Sequence, residues 1–184
     1  MPDPTLPPAS SSSAPRDRVF WSLALLVAGA DILTKRWAEQ SLGLHVPQDV
    51  FAPWLRWTLT YNTGAAMNLS LGGASRLVFS AIAVGMIVYL YRLYRQAAPH
   101  ERAAPAALAL IAAGAFGNLL DRVRHGKGVV DFIDVGTAGW RFWTFNIADV
   151  GVTSGAVLLA LLLWRDEAAP AQLSAPTSSP ESDQ

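Results

Sequence analysis

Long apolar stretches dominate the chain and are separated by two more polar connections. Residues 103–120 carry no charge, residues 74–91 contain only Arg76, and residues 142–164 contain only Asp149. A first segment, residues 19–34, is shorter and has Asp31 near its end. Because a helix needs about 20 mostly apolar residues to cross the hydrocarbon core of a bilayer, this pattern predicts four membrane-spanning helices.

The first apolar segment has an alternative interpretation as a cleaved signal peptide. The sequence Ala-Gly-Ala at residues 28–30 is typical of the small-residue site at which such peptides are cut. The segment continues with helical spacing through Leu33 and Trp37, however, which favours a retained span.

The two long connections, residues 38–73 and 123–141, each contain a strand pattern. Residues 54–61 alternate in polarity, and residues 129–133 form a short apolar run among glycines. The predicted fold is therefore an all-α membrane protein with four transmembrane helices and a small cradle on one side of the membrane that contains β-strands. It is expected to occupy residues 19–165, between disordered tails at residues 1–18 and 166–184 that are rich in Pro, Ser and Ala.

Composition supports a membrane protein and excludes several other classes. Charged residues make up 15% of the chain, against about 25% in a typical soluble domain. A net charge of zero argues against a nucleic-acid partner. The chain has no cysteine, and its three histidines lack metal-ligand spacing, so we expect neither thiol chemistry, nor a metal, nor an organic cofactor.

Charge counting does not decide the orientation in the membrane. Four spans would place six basic residues on the side of the two tails and eight on the side of the long connections. The positive-inside rule therefore favours neither topology.

Acidic residues in or beside a span are costly and indicate function by default; here they are Asp31, Asp131 and Asp149. Asn146 lies three residues before Asp149 and so on the same helical face. The alternative for Asp149 is an ordinary acid at a helix N-terminus, favoured by the helix dipole. The residues alone leave both interpretations open.

The end of the third apolar stretch also carries polar groups on one face. Gly114, Asn118 and Arg122 are spaced by four residues. The glycine is typical of close helix packing, whereas the amide and guanidinium offer donors to a carbonyl or a carboxylate. Two carboxylates near these donors could share one proton and activate water against an amide.

Five ordered motifs resemble lipoprotein signal peptidase (signal peptidase II), a family of bacterial membrane aspartyl endopeptidases. They are DILTK at 31–35, NTGAA at 62–66, GNLLDR at 117–122, VVDFID at 129–134 and FNIAD at 145–149. The resemblance implies that Asp131 and Asp149 are the catalytic pair, and that Asp121 and Asp134 are not. It implies substrate-binding roles for Asn62, Gly64, Asn118, Arg122 and Asn146, and supporting roles for Asp31, Lys35 and Gly114.

The same resemblance implies the substrate and the location. The substrates would be prolipoproteins that carry a diacylglyceryl cysteine, cut just before that cysteine. The enzyme would be a monomer among the lipids of the inner membrane, with both termini cytoplasmic and the active site on the extracytoplasmic side. Two departures from the family pattern are Met67, where an aromatic residue is usual, and one extra residue near Gly126–Gly128.

Three alternatives explain less of the sequence. A proton-coupled transporter would use the same acids as a relay, but corresponding broken helices in the two halves are absent from the pattern. A different intramembrane aspartyl protease would carry a Gly-x-Gly-Asp sequence, which this chain lacks. A purely structural membrane subunit would explain the spans but not the spacing of Asn and Asp at their ends.

Overall fold

The computed structural model describes residues 15–64, 74–124 and 126–173. Met67 and the outer parts of the expected tails, residues 1–14 and 174–184, lie outside these ranges. The elements in chain order are α1 (Pro15–Ser41), β1 (Gln48–Phe51), β2 (Leu55–Asn62), α2 (Ser75–Gln96), α3 (Ala103–Arg124), β3 (Val129–Val135) and α4 (Ile147–Leu173).

The helical segments are longer than the apolar stretches that predicted them. Helix α1 begins at Pro15, a residue well suited to the first helical position because its fixed φ is already helical. Helix α4 continues to Leu173. Residues 15–18 and 166–173 are therefore helical, although the sequence analysis placed them in disordered tails.

Within the described residues, three helices are long and apolar enough to cross a membrane: Ser75–Gln96, Ala103–Arg124 and Ile147–Arg165. Helix α1 has 27 residues but carries Asp31 and Lys35 in its interior, both of them buried. The structure is thus mostly helical with three candidate spans.

Helix α3 is the centre of the helical bundle and packs against α1, α2 and α4. Glycines allow the closest approach, between α3 and α4. A Cβ at Gly155 would lie 2.7 Å from the Ala107 carbonyl oxygen, and a Cβ at Gly114 would lie 2.7 Å from Val152 Cγ2. Small residues at these positions let the two backbones meet, as in many membrane bundles.

An antiparallel sheet in the order β1-β2-β3 covers one end of the bundle. Strands β2 and β3 confirm the two strands predicted from sequence, whereas β1 was not predicted. In the β2–β3 register Thr60 lies opposite Asp131. Val130 and Phe132 are buried against Ala38 of α1, which fixes the sheet on the bundle.

The fourth apolar stretch is not helical from its beginning, as residues 142–164 had suggested. Helix α4 starts at Ile147. Before it, Phe145 pairs with Ile133 of β3, with hydrogen bonds of 2.8 and 3.0 Å in the two directions. Three of the four residues 142–145 are aromatic, and all four line a cavity beside the sheet, so hydrophobicity alone assigned them to the wrong element.

The α3–α4 contact can be tested with a matched pair of glycine substitutions. Gly155→Ala should lower the melting temperature, since its methyl group would overlap a backbone carbonyl; overpacking of this kind costs about 1–3 kcal/mol. Gly85→Ala, in α2, meets nothing within 4 Å and should be neutral or slightly stabilising. Equal melting temperatures for the two variants in detergent would show that the close approach is not required.

Candidate active site

Asn146 joins the two aspartates that the sequence singled out. Its side-chain Nδ2 donates to Asp131 Oδ1 at 2.6 Å, and its backbone N–H donates to Asp149 Oδ2 at 3.2 Å. Nδ2 also lies 3.2 Å from the Val130 carbonyl oxygen, and Asn146 is fully buried. Asn146, which lies between β3 and α4, therefore hydrogen-bonds to both carboxyl groups and holds them close to each other.

Asp149 is both a helix cap and a member of this pair. Its backbone N–H donates to Asn146 Oδ1 at 3.0 Å while its own Oδ2 accepts from the Asn146 N–H. This is the reciprocal arrangement of a capping box. Its other oxygen accepts from Asn118 Nδ2 at 2.8 Å. Both oxygens of the Asp149 carboxyl group therefore accept hydrogen bonds.

Asp131 is in a different environment. It is only 3% exposed. Burial, and next the nearby charge of Asp149, raise its pKa from 3.8 to about 7, against the opposing effect of hydrogen bonds from Asn146 and Asn62. Two carboxyl groups in neighbouring sites resist double ionisation, so burial and the charge of Asp149 both make Asp131 a weaker acid than an ordinary aspartate.

Arg122 connects the site to the end of β2. Its Nη2 donates to the Gly64 carbonyl oxygen at 2.9 Å, and its Nη1 donates to the Asn118 carbonyl oxygen at 3.2 Å. The Gly64 N–H in turn donates to Asn62 Oδ1 at 3.0 Å. The guanidinium thus lies beside the pair while its forked donors fix the backbone after β2.

The loop before β3 approaches the same backbone closely. Gly128 has a φ of +108°, a conformation that favours glycine. A Cβ there would also lie 2.7 Å from the Asn62 carbonyl carbon. Residues 126–128 form the turn before β3, and Asn62 and Asp131 lie on adjacent strands.

Three buried charged residues lie next to Asn118 and the first turn of α4. Lys35 Nζ lies 2.8 Å from Asp31 Oδ2 and 2.9 Å from Asp121 Oδ2, and it donates to Asn118 Oδ1 at 2.9 Å. Asp31 Oδ1 accepts from the Ala148 N–H at 2.9 Å, in the first turn of α4. We call Asp31, Lys35 and Asp121 the buried ion cluster.

The aspartates open into a cavity of about 690 Å³. Its lining includes Asn62, Asn118 and Arg122, together with apolar residues of α2 and α4. In the part of the chain that the structure describes, no three His, Asp or Glu side chains come together to hold a metal ion.

The structure brings nearly all of the sequence-predicted site residues together, in two layers. Asp131, Asp149, Asn62, Asn118 and Arg122 line the cavity, whereas Asp31 and Lys35 lie beneath it. Sequence reasoning assigned no role to Asp121, whose Oδ2 also accepts from the Val130 N–H at 3.1 Å. Its place three residues after Asn118 puts it on the same helix face as that residue, but the sequence does not show that Lys35 lies opposite.

Comparison with known proteins identifies a family for this chain. A model of the family described as signal peptidase (SPase) II matches residues 23–165. A lipoprotein signal peptidase of Pseudomonas syringae pv. tomato is 39% identical over 174 residues, which cover 91% of this chain and 95% of the relative. One from Ectopseudomonas mendocina is 41% identical over 152 residues, 79% of this chain and 87% of the relative.

Two solved structures described as bacterial membrane enzymes have the same fold. One has a TM-score of 0.73 at 27% identity and covers 90% of this chain and 94% of its own. The other has a TM-score of 0.71 at 31% identity, with 80% and 93% covered. The match over residues 23–165, the closely similar relatives and the shared fold lead to one conclusion: the chain belongs to the signal peptidase II family of bacterial membrane peptidases.

Proposed function

We propose that this peptidase is an aspartyl endopeptidase that removes signal peptides from diacylglyceryl-modified prolipoproteins, cutting just before the modified cysteine. The observation that carries the proposal is the pair Asp131 and Asp149, both bound by Asn146 and both lining one cavity. Asp131 is buried and its pKa is raised, whereas both oxygens of the Asp149 carboxyl group accept hydrogen bonds. This difference is what acid–base catalysis by two carboxyl groups requires.

In the proposed reaction Asp149 begins as the base and Asp131 as the acid. A water molecule between the two carboxyl groups gives a proton to Asp149, and its oxygen attacks the carbonyl carbon of the scissile peptide. Asp131 gives its proton to the carbonyl oxygen, which yields a tetrahedral diol. The diol then returns one proton to Asp131, the departing nitrogen takes a proton from Asp149, and the C–N bond breaks.

The polar residues around the pair hold it and the substrate in place. Asn118 fixes Asp149 and is itself fixed by Lys35. Arg122 lines the cavity beside both aspartates, where its guanidinium favours the single negative charge of the pair and orients the peptide with Asn62 and Gly64. Positioning of this kind supplies a large share of a hydrolase's rate, and the proposed reaction needs no cofactor.

The cavity lining indicates how a lipid-bearing substrate reaches the aspartates. Phe79, Ile82 and Met86 of α2 and Val152 of α4 line the same cavity as the two acids. Apolar groups of the substrate can thus remain along the spans while the peptide reaches the polar end. In this proposal α1 is a fourth span, both termini are cytoplasmic, and a monomer works in the inner membrane with its site on the extracytoplasmic side.

Asp131→Asn and Asp149→Asn should each abolish processing of a purified diacylglyceryl prolipoprotein, because neither amide can carry the proton that its carboxyl group moves. We expect rates at least about a thousandfold below that of the parent enzyme. The measurement is the shortened product on a gel, with intact-mass analysis to locate the cut.

Asp49→Asn is the matched control, since Asp49 lies on the edge strand β1 and pairs only with Arg56 among the contacts described. It should process at the parent rate. Processing by either dyad variant at the parent rate would contradict the catalytic assignment, and a cut elsewhere than before the cysteine would contradict the proposed position.

The pKa of Asp131 predicts the pH dependence of both activity and stability. Above about pH 7 the free enzyme loses the Asp131 proton, so kcat/KM should fall. Because burial raises the folded-state pKa of Asp131 above its unfolded value, the contribution of this group to the free energy of unfolding is most favourable at low pH and is lost as the pH rises from about 4 to 7. The parent's melting temperature should therefore fall between pH 5 and pH 8, and that of Asp131→Asn should fall less. Matching slopes for the two proteins would contradict this assignment.

Lys35→Met should strongly destabilise the fold, since it leaves two buried carboxylates without their cation. Removing one partner of a buried pair typically costs about 3–5 kcal/mol. Thermal unfolding in detergent measures the effect, and Arg36→Met, one residue along α1, is the control. A loss of activity with unchanged melting temperature would instead make Lys35 a participant in the reaction.

A further inference from the structure

We propose that Asp134 and Arg141 are positioning residues that hold one wall of the cavity, residues 142–145, and so determine how tightly substrate binds. The inference rests on the proposed function, because it concerns the same cavity. Neither residue lines that cavity or touches Asp131 or Asp149 among the contacts described, so their effect has to pass through the wall.

Arg141 uses all three of its nitrogen atoms to tie the segment before α4 to the sheet. Nε pairs with Asp134 Oδ1, Nη2 donates to the Asp134 backbone oxygen at 2.9 Å, and Nη1 donates to the Pro53 carbonyl oxygen at 3.0 Å. Its side chain is 23% exposed and that of Asp134 is 11% exposed. A lysine could not reproduce these contacts, because it presents a single nitrogen.

The second carboxylate oxygen of Asp134 also has a partner. Its Oδ2 accepts from Thr58 Oγ1 at 2.9 Å. Arg56 lies opposite Asp134 in the β2–β3 register, but its Nε pairs with Asp49 at 2.7 Å. Among the contacts described, the cation bound to Asp134 is therefore Arg141, and the pair links β2, β3 and the segment that follows β3.

The other anchors of the wall are backbone pairings at its two ends, including a bridge between Gly136 and Arg141. The Phe142 N–H donates to the Val135 carbonyl oxygen at 2.8 Å, and Phe145 pairs with Ile133. Between these two points lie Trp143 and Thr144. Phe142 and Trp143 line the cavity and are 45% and 52% exposed, so they present a large aromatic surface.

The position of this wall bears on binding more than on the chemical step. The aspartates are fixed from the other side by Asn146, Asn118 and the buried ion cluster, whose contacts do not include Arg141. Releasing Arg141 should let Phe142 and Trp143 move while the aspartates stay in place. Their aromatic surface is suited to the apolar part of the substrate next to the scissile bond.

The test is a kinetic comparison of full-length variants in detergent or lipid with a diacylglyceryl prolipoprotein. Arg141→Met should raise KM about tenfold with kcat within about twofold of the parent, the pattern of an interaction lost equally in ground state and transition state. Arg141→Lys should raise KM by about threefold, and Asp134→Asn should behave like Arg141→Met. The pH profile of kcat/KM should keep its shape in all three.

Arg92→Met removes the same charge from an exposed site near the far end of α2 and should leave both constants unchanged. If Arg141→Met does not fold, Arg141→Lys carries the test. An unchanged KM in Arg141→Lys, or a fall in kcat as large as the fall in kcat/KM, would overturn the positioning role. Failure of the proposed function would appear differently, as normal processing by Asp131→Asn.

Discussion

The structure depends on a single buried ammonium group. Lys35 is 3% exposed and lies between two carboxylates, at 2.8 Å from Asp31 and 2.9 Å from Asp121. An unpaired charge in such a place would cost several kcal/mol, so α1 and α3 can pack only in the arrangement that pairs these groups. Asp31 then accepts from the first turn of α4 through the Ala148 N–H, and Asp121 accepts from the beginning of β3. Three helices and the sheet are thereby fixed relative to one point.

The proposed catalytic pair, Asp131 and Asp149, is built on this arrangement. Asn118 receives a hydrogen bond from Lys35 and gives one to Asp149, while Asn146 receives the Asp149 N–H and gives its amide to Asp131. Each carboxyl group thus accepts a hydrogen bond from an asparagine amide, and each of these amides accepts a hydrogen bond from another group of the protein. Small residues make the geometry possible: a side chain at Gly117 would overlap the Asp31 carboxylate. The pair therefore requires the close packing of α1, α3 and α4 as much as its own residues.

Much of this could be predicted from the sequence, and the failures have physical reasons. Apolar run length identified the helices, because it reports a requirement of the bilayer. The same criterion wrongly assigned residues 142–145 to α4, because the apolar wall of a cavity and a membrane span use the same types of residue. The two interpretations of Asp149 are not exclusive, since one carboxyl group both caps α4 and faces Asp131. Asp121 was left without a role, because only the fold brings it to Lys35.

The most direct test of this account is the protonation of Asp131 in the folded protein. Isotope-edited infrared spectroscopy of aspartate-labelled protein, titrated from pH 4 to pH 9, follows the carboxyl groups themselves and does not depend on substrate. The account predicts one carboxyl group that loses its proton near pH 7 and whose signal is missing in Asp131→Asn. It would be contradicted if no carboxyl group titrates above about pH 5, or if the late-titrating signal persists in that variant.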